Sequence, residues 1–289
     1  MRRKLPENPV IRFFCLMVRR YLRHGVGAQA AALAFYLLFM IFPFAIFLSA
    51  LLGLLHLDVA GIVRALGEVM PREAVELIGS YLAYVQNNSS VQLAVFGLVF
   101  SIWFPTRAAN ALMRAVRTAY HLGPPRTPFV HTLKSLLYTV MLIVTVALTL
   151  VAITVSDRIL AWAVANLHLP EFAAALWGKL RFPVAGVAGF FALYSLYALA
   201  QDGRWSLRDL WPGTVSALGA WLALSWLYNV YVEHFSSYSV LYGSIGAIIV
   251  LLIWLNMTAV VLIMGAEMNG VLMAMRAGKD NGGEAPRAT

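Results

Sequence analysis

Charge is scarce in this chain. Asp, Glu, Lys and Arg make up 12% of its 289 residues, about half the roughly 25% typical of soluble domains, which argues against an ordinary water-facing surface. Cysteine is nearly absent too: Cys15 stands alone, so an intrachain disulfide, a CxxC redox pair and a cysteine zinc site are all excluded. Clustered metal donors are lacking. His24, His56, His121, His131, His168 and His234 are scattered over separate segments with no HxH, HExxH or HxxE spacing, whereas metal-dependent hydrolysis needs His, Asp and Glu gathered around cations and water. The chain also contains no GxxxxGK[ST] phosphate loop and no GxSxG nucleophile elbow. The sequence therefore assigns no catalytic residue, no metal ligand and no cofactor. Gly25, Gly27 and Ala30 do satisfy GxGxxA, but they follow a basic segment rather than a strand and lead into an apolar run. They read as a hinge with small residues for helix packing.

What the chain has in abundance is apolar residues, 61% of the total. A bilayer core of about 30 Å needs roughly 20 apolar residues in a helix, and six runs reach or approach that length: 29–55, 91–112, 132–156, 182–200, 211–232 and 242–272. The expected fold is all-α, a polytopic membrane protein of about six transmembrane helices with amphipathic interfacial helices. The first run is longer than the 7 to 15 residues of a signal-peptide core, so it reads as an uncleaved anchor. Three parts are expected: a basic amphipathic cytoplasmic segment 1–28, a six-helix membrane domain 29–273, and a disordered cytoplasmic tail 274–289.

The net charge of +9 would suit nucleic acid, but the basic residues gather at the ends of apolar runs, where they report orientation. The segments before the first run, between the second and third, between the fourth and fifth, and after the sixth hold fifteen Lys and Arg; the alternate connections hold five. Cytoplasmic flanks carry such an excess, so both termini are expected in the cytoplasm of a bacterial inner membrane. Asp202 and Asp209 lie in a short polar turn and are expected to pair with Arg204 and Arg208. Membrane lipids are the expected partners and nucleic acid is not; homo-oligomers and envelope protein partners stay open.

Three connecting segments look amphipathic. Residues 59–85 and 158–180 fall on the outer side, where helices would rest on the bilayer or cap the bundle. Residues 10–23 follow Asn8-Pro9, a helix-start pair. Val10, Phe13, Phe14, Met17, Val18 and Tyr21 form its apolar face, with Arg12, Arg19 and Arg23 elsewhere, the pattern of a basic anchor to anionic lipid.

Polar residues inside apolar runs are costly enough to suggest function. Arg107 in the second run and Glu267 in the sixth should lie at comparable depth toward the cytoplasm, so a mutual ion pair is expected; helix-end decoration is the other reading. Asn256 precedes Glu267 by 11 residues, a rotation of about 20°, which puts the two on one side. Asn256 serves either as glue between helices or as part of a cavity wall. Asn269 belongs to a different stripe with Thr258 and Gly265. Pro43 and Pro105 each remove a helical hydrogen bond within a span, so a kink is expected at both; carbonyls freed there are tolerated only beside protein or a water-filled cavity.

Several stretches together resemble the YihY family of bacterial inner-membrane proteins, to which the virulence factor BrkB belongs. AAALAFYLLFMIFPF (30–44), LWPGTVSALGAWLAL (210–224) and especially YGSIGAIIVLLIWLNMTAVVLIMGAEMN (242–269) carry the likeness. It departs at Phe35, where the family often has tyrosine, and around Pro105. The resemblance implies six helices with both ends inside. It implies little about activity: the family was once labelled a tRNA-processing ribonuclease, and some members are suspected of moving lipids or small solutes. Three readings follow: a transport-type role for a lipid or other amphiphile, using a cavity suggested by Pro43, Pro105, Arg107, Asn256 and Glu267, with Asn269 a further candidate; a non-transporting envelope scaffold; and a membrane ribonuclease, which lacks the acidic clustering it would need.

Overall fold

The computed structural model describes residues 8–55, 63–64, 67, 72, 75–80, 91–123, 127, 129–130, 132–145, 171–201, 206–234 and 237–276. Helix α1, Pro9–Arg23, begins where Asn8 accepts a hydrogen bond from the Val10 amide at 3.0 Å and Pro9 occupies the first turn, so the cap and the proline together set its start. It ends at His24, and Gly25 turns the chain with φ +62, a left-handed conformation that glycine adopts without penalty. Helix α2, Val26–Leu55, follows at once, which makes the GxGxxA stretch the expected hinge.

The long helices are α3, Val91–Ala119; α5, Glu171–Ala200; α6, Trp211–His234, preceded by a 3-10 turn Leu207–Asp209; and α7, Ser237–Arg276. A shorter apolar helix, α4, covers Thr132–Thr145. Among the described residues, five stretches are long and apolar enough to cross a membrane: Val26–Phe44, Val95–Ala119, Pro183–Ala200, Leu207–Val232 and Gly246–Arg276. The chain is an all-α polytopic membrane protein. The third expected span is described only over α4, because 146–156 lie outside the described residues. Much of 59–85 and all of 158–170 lie outside them as well. Residues 171–180, expected on the surface, form the first turns of α5 and run unbroken into the fourth span.

Helix α2 packs along α3 and α7, α6 pairs with α7, and α5 fills in between α3 and α6. Their shared core holds Val26, Ala30, Leu33, Ala109, Met113, Val116, Tyr197 and Ile263, all under 5% exposed. Small residues let the backbones close in. A methyl group at Gly213 of α6 would strike the Gly265 carbonyl and the Asn269 side chain of α7; close approach of this kind suits membrane helices, whose association relies on packing because lipid is as apolar as leucine. Pro43 and Pro105 are buried, and α2 and α3 remain helical through them.

The exposed surface is apolar where lipid would lie. Phe96, Val99, Leu133, Leu137, Phe191, Leu222 and Trp226 are each at least 48% exposed, an inversion of the soluble-protein pattern that hydrocarbon solvent explains.

Candidate functional site

One end of the bundle gathers the start of α2, the ends of α3, α5 and α7, and the 3-10 turn before α6. The described parts of the four lysine- and arginine-rich segments meet here, through Arg20, Arg117 and Arg276. Arg117 at the end of α3 donates to the Ala200 carbonyl at 3.0 Å and to the Gly123 carbonyl at 2.7 Å, so a buried guanidinium satisfies carbonyls that the end of α5 and the loop after α3 leave over. Asp209 accepts from Arg276 at 2.9 Å, a bond between the polar turn and the last helix. The expected pairing with neighbouring Arg208 is corrected: Arg276 reaches Asp209 across the bundle end, and at 62% exposure of its side chain the bridge contributes about 0–1 kcal/mol.

At the centre of this face lies Glu267, 1% exposed. One carboxylate oxygen is 3.2 Å from Arg20 Nη1 and the other 2.5 Å from His24 Nδ1. Arg20, 3% exposed, also donates to the Ala119 carbonyl at 2.9 Å and to the Gly270 carbonyl at 3.4 Å. Its planar fork thus ties α1 to the end of α3 and to α7 at once. Glycine at 270 makes room, since a methyl there would collide with the Ala119 carbonyl and with Arg20 itself. The Nε of Arg20 is buried with no hydrogen-bond partner.

His121, with φ 52, closes the loop after α3 and sets its ring edge-on to His24, centroids 5.3 Å apart. Desolvation, together with the positive fields of Arg20, His24 and Arg23, pushes its imidazole down to about 4 against the opposing pull of Glu267. Neutral imidazole is therefore favoured beside the Arg20 guanidinium.

Asn269, fully buried, forms the second polar knot two residues on. Its Nδ2 donates to the Leu210 carbonyl at 2.9 Å and to the Tyr120 hydroxyl at 3.2 Å, while its Oδ1 accepts from the Gly213 amide at 2.6 Å. Leu210 and Gly213 belong to the start of α6, whose first amides lack helical partners. Asn269 is thus a fixed joint between α3, α6 and α7. Tyr197 adds a bond from α5 to the Leu262 carbonyl at 2.5 Å.

The expected Arg107–Glu267 pair is not formed. Arg107 is exposed and lies over the Trp103 ring, 4.7 Å from its centroid; the cation–π contact holds it on the outer side of α3. Glu267 faces the opposite way, toward α1. Asn256 is half-buried on α7, and the structure does not bring it to Glu267. The residue missed was Arg20. On a helical wheel it falls between Leu16, Met17 and Tyr21 rather than among Arg12, Arg19 and Arg23. A lone charge inside an apolar arc was the available signal.

Among the described residues no group of three His, Cys, Asp or Glu side chains is placed to hold a metal ion. No solved structure matches the chain. The family model described as virulence factor BrkB matches residues 17–289, and the chain belongs to that family. A Bacillus subtilis protein, YfkH, named as ribonuclease-like, is 30% identical over 253 residues, covering 88% of this chain and 92% of its own length. A Chromohalobacter salexigens protein of the UPF0761 membrane proteins is 26% identical over 90% of this chain and 62% of its own. One from Pseudoalteromonas atlantica is 22% identical over 94% and 89%.

Proposed function

We propose that this membrane protein handles a lipid or similar amphiphile at its basic end, in a transport-type role rather than as an enzyme. The observation that supports this reading is the seating of α1. One face of that helix, through Leu16, Arg20 and the following His24, is bonded to the bundle. The stripe Val10, Phe14, Val18 and Leu22 is 61 to 72% exposed, with Arg19 and Arg23 exposed beside it. A helix so built lies in a headgroup layer, apolar stripe toward the acyl chains and arginines toward phosphates. The charged contact beneath it spans three helices, so the packing of the bundle is coupled to a helix that lipid holds.

The positive excess at this end supports a cytoplasmic location for both termini in a bacterial inner membrane. The ribonuclease-like name of the Bacillus relative calls for a donor cluster of a kind that the described residues do not bring together. The test is lipid translocation in vesicles containing the purified full chain. Movement of a labelled phospholipid between leaflets above protein-free vesicles, reduced in Glu267→Gln, is the expected result; no movement beyond the control overturns the reading.

A further inference from the structure

Hydroxyls within these helices mostly bond back to their own turn. Thr106, Thr118, Thr139, Thr145 and Thr214 each donate to the carbonyl four residues earlier, at 2.6 to 3.0 Å, the standard way to hide a hydroxyl in an apolar setting. Ser225 of α6 and Thr258 of α7 do not. Their oxygens are buried with no hydrogen-bond partner, and so is the indole Nε1 of Trp254, one turn before Thr258. Trp254 and Thr258 are 6% and 8% exposed.

Trp254 and Thr258 lie one turn apart on α7, and Ser225 lies on α6, which packs against it. Trp221 of α6 sets its ring 6.4 Å from that of Trp254, and Tyr228 donates to the Val250 carbonyl at 2.9 Å. Ser225 sits between Trp221 and Tyr228, one turn from each, on the side of α6 that meets α7. Helix α2 closes the third side with Ala34, Leu37 and Leu38. By helical rise, Trp254 lies about 20 Å along α7 from Glu267, well within the hydrocarbon layer. Polar atoms there are expensive unless satisfied, and an indole N–H in particular normally finds an acceptor.

From this we infer that the seam between α2, α6 and α7 is a binding site for the uncharged, oxygen-bearing part of an amphiphile, a glycerol hydroxyl or ester carbonyl. Trp254 can only donate, so the group opposite it must accept; Ser225 and Thr258 can do either. No charged atom belongs to the set, so it recognises ester and hydroxyl oxygens and not phosphate as such. The inference deepens the amphiphile reading and rests on it for the choice of ligand.

The test uses the full chain in phosphatidylcholine vesicles with a diacylglycerol carrying a diazirine beside its glycerol. The expected result is labelling of the α6 and α7 peptides containing Ser225 and Trp254, competed by unlabelled diacylglycerol and not by hexadecane. Labelling falls about five-fold in Trp254→Phe and in Thr258→Val, consistent with loss of one neutral hydrogen bond. Ser225→Ala, the smallest change, lowers it in the same direction while the melting temperature holds. Equal labelling in all variants, or equal competition by hexadecane, overturns the site and leaves an apolar seam. Translocation measured in the same vesicles separates the two ideas: labelling without translocation sinks the transport reading alone, and translocation without labelling sinks the site alone.

Discussion

Arg20 and Glu267 lie 247 residues apart in the chain and 3.2 Å apart in the structure, each almost fully buried. Removing one partner of a buried pair typically costs about 3–5 kcal/mol, because the survivor is left uncompensated. Glu267→Gln and Arg20→Gln are each expected to lower the melting temperature in detergent, measured by intrinsic fluorescence. Arg107→Gln, which removes only an exposed cation–π contact worth about 0.5–1 kcal/mol, should stay close to the parent. A large loss in Arg107→Gln with none in Arg20→Gln would restore the pairing expected from sequence.

Asn269→Leu keeps the branched outline and removes the amide's oxygen and its NH2 group. The Leu210 carbonyl keeps its bonds from Thr214, but the Gly213 amide and the Tyr120 hydroxyl lose a buried partner, at about 1–3 kcal/mol for each group left unsatisfied. A melting temperature within a degree or two of the parent would show that these groups find other partners.

Gly213→Ala is expected to destabilise by more than the usual 1–3 kcal/mol of overpacking, because the obstacle is the α7 backbone at Gly265 rather than a movable side chain. Gly219→Ala meets nothing within 4 Å and should be neutral or mildly stabilising. The pair, compared by thermal denaturation, reads the closeness of α6 and α7 directly.

These three expectations show what the sequence could and could not convey. Apolar run length located the five spans found among the described residues and the shorter helix α4 where a sixth was expected, and the described parts of the arginine-rich segments meet at one end. Span depth alone chose Arg107 for Glu267, and it failed because depth carries no azimuth: Arg107 faces Trp103 on the outside of α3. Asn269 is legible as a polar residue within an apolar run, but its partners are not, since two of them are backbone groups at the start of α6 that periodicity does not see. Asp209 was matched to its neighbour Arg208, whereas the fold offered Arg276.

His121 gives a pH dependence with a defined sign. Its folded-state pKa, about 4, is below the roughly 6.5 of an unfolded histidine, so the unfolded chain binds the proton more readily. The stabilising effect is full above about pH 6.5 and is lost as pH falls toward 4. His121→Asn, a residue that tolerates positive φ, should flatten the decline in melting temperature over that window. An unchanged slope would show that other groups carry it.

Reporter fusions test the direction of the basic end. Fusions after Gly278 and within Gly203 to Leu207 are expected to report cytoplasm, and fusions at Asn88 and Ser237 the opposite side. A cytoplasmic signal at Asn88 would overturn the orientation.

The distance along the chain between Arg20 and its carboxylate also sets a schedule. At roughly 5–20 residues per second, a ribosome needs about 12 to 50 s after making Arg20 before Glu267 exists. Throughout that interval the first helix has its exposed apolar stripe but not the carboxylate that meets Arg20, and α2 to α6 are made before that partner exists. The final helix therefore acts as a latch that is delivered last. A chain that ends between α6 and residue 267 would keep α1 to α6 but lack the carboxylate that meets Arg20.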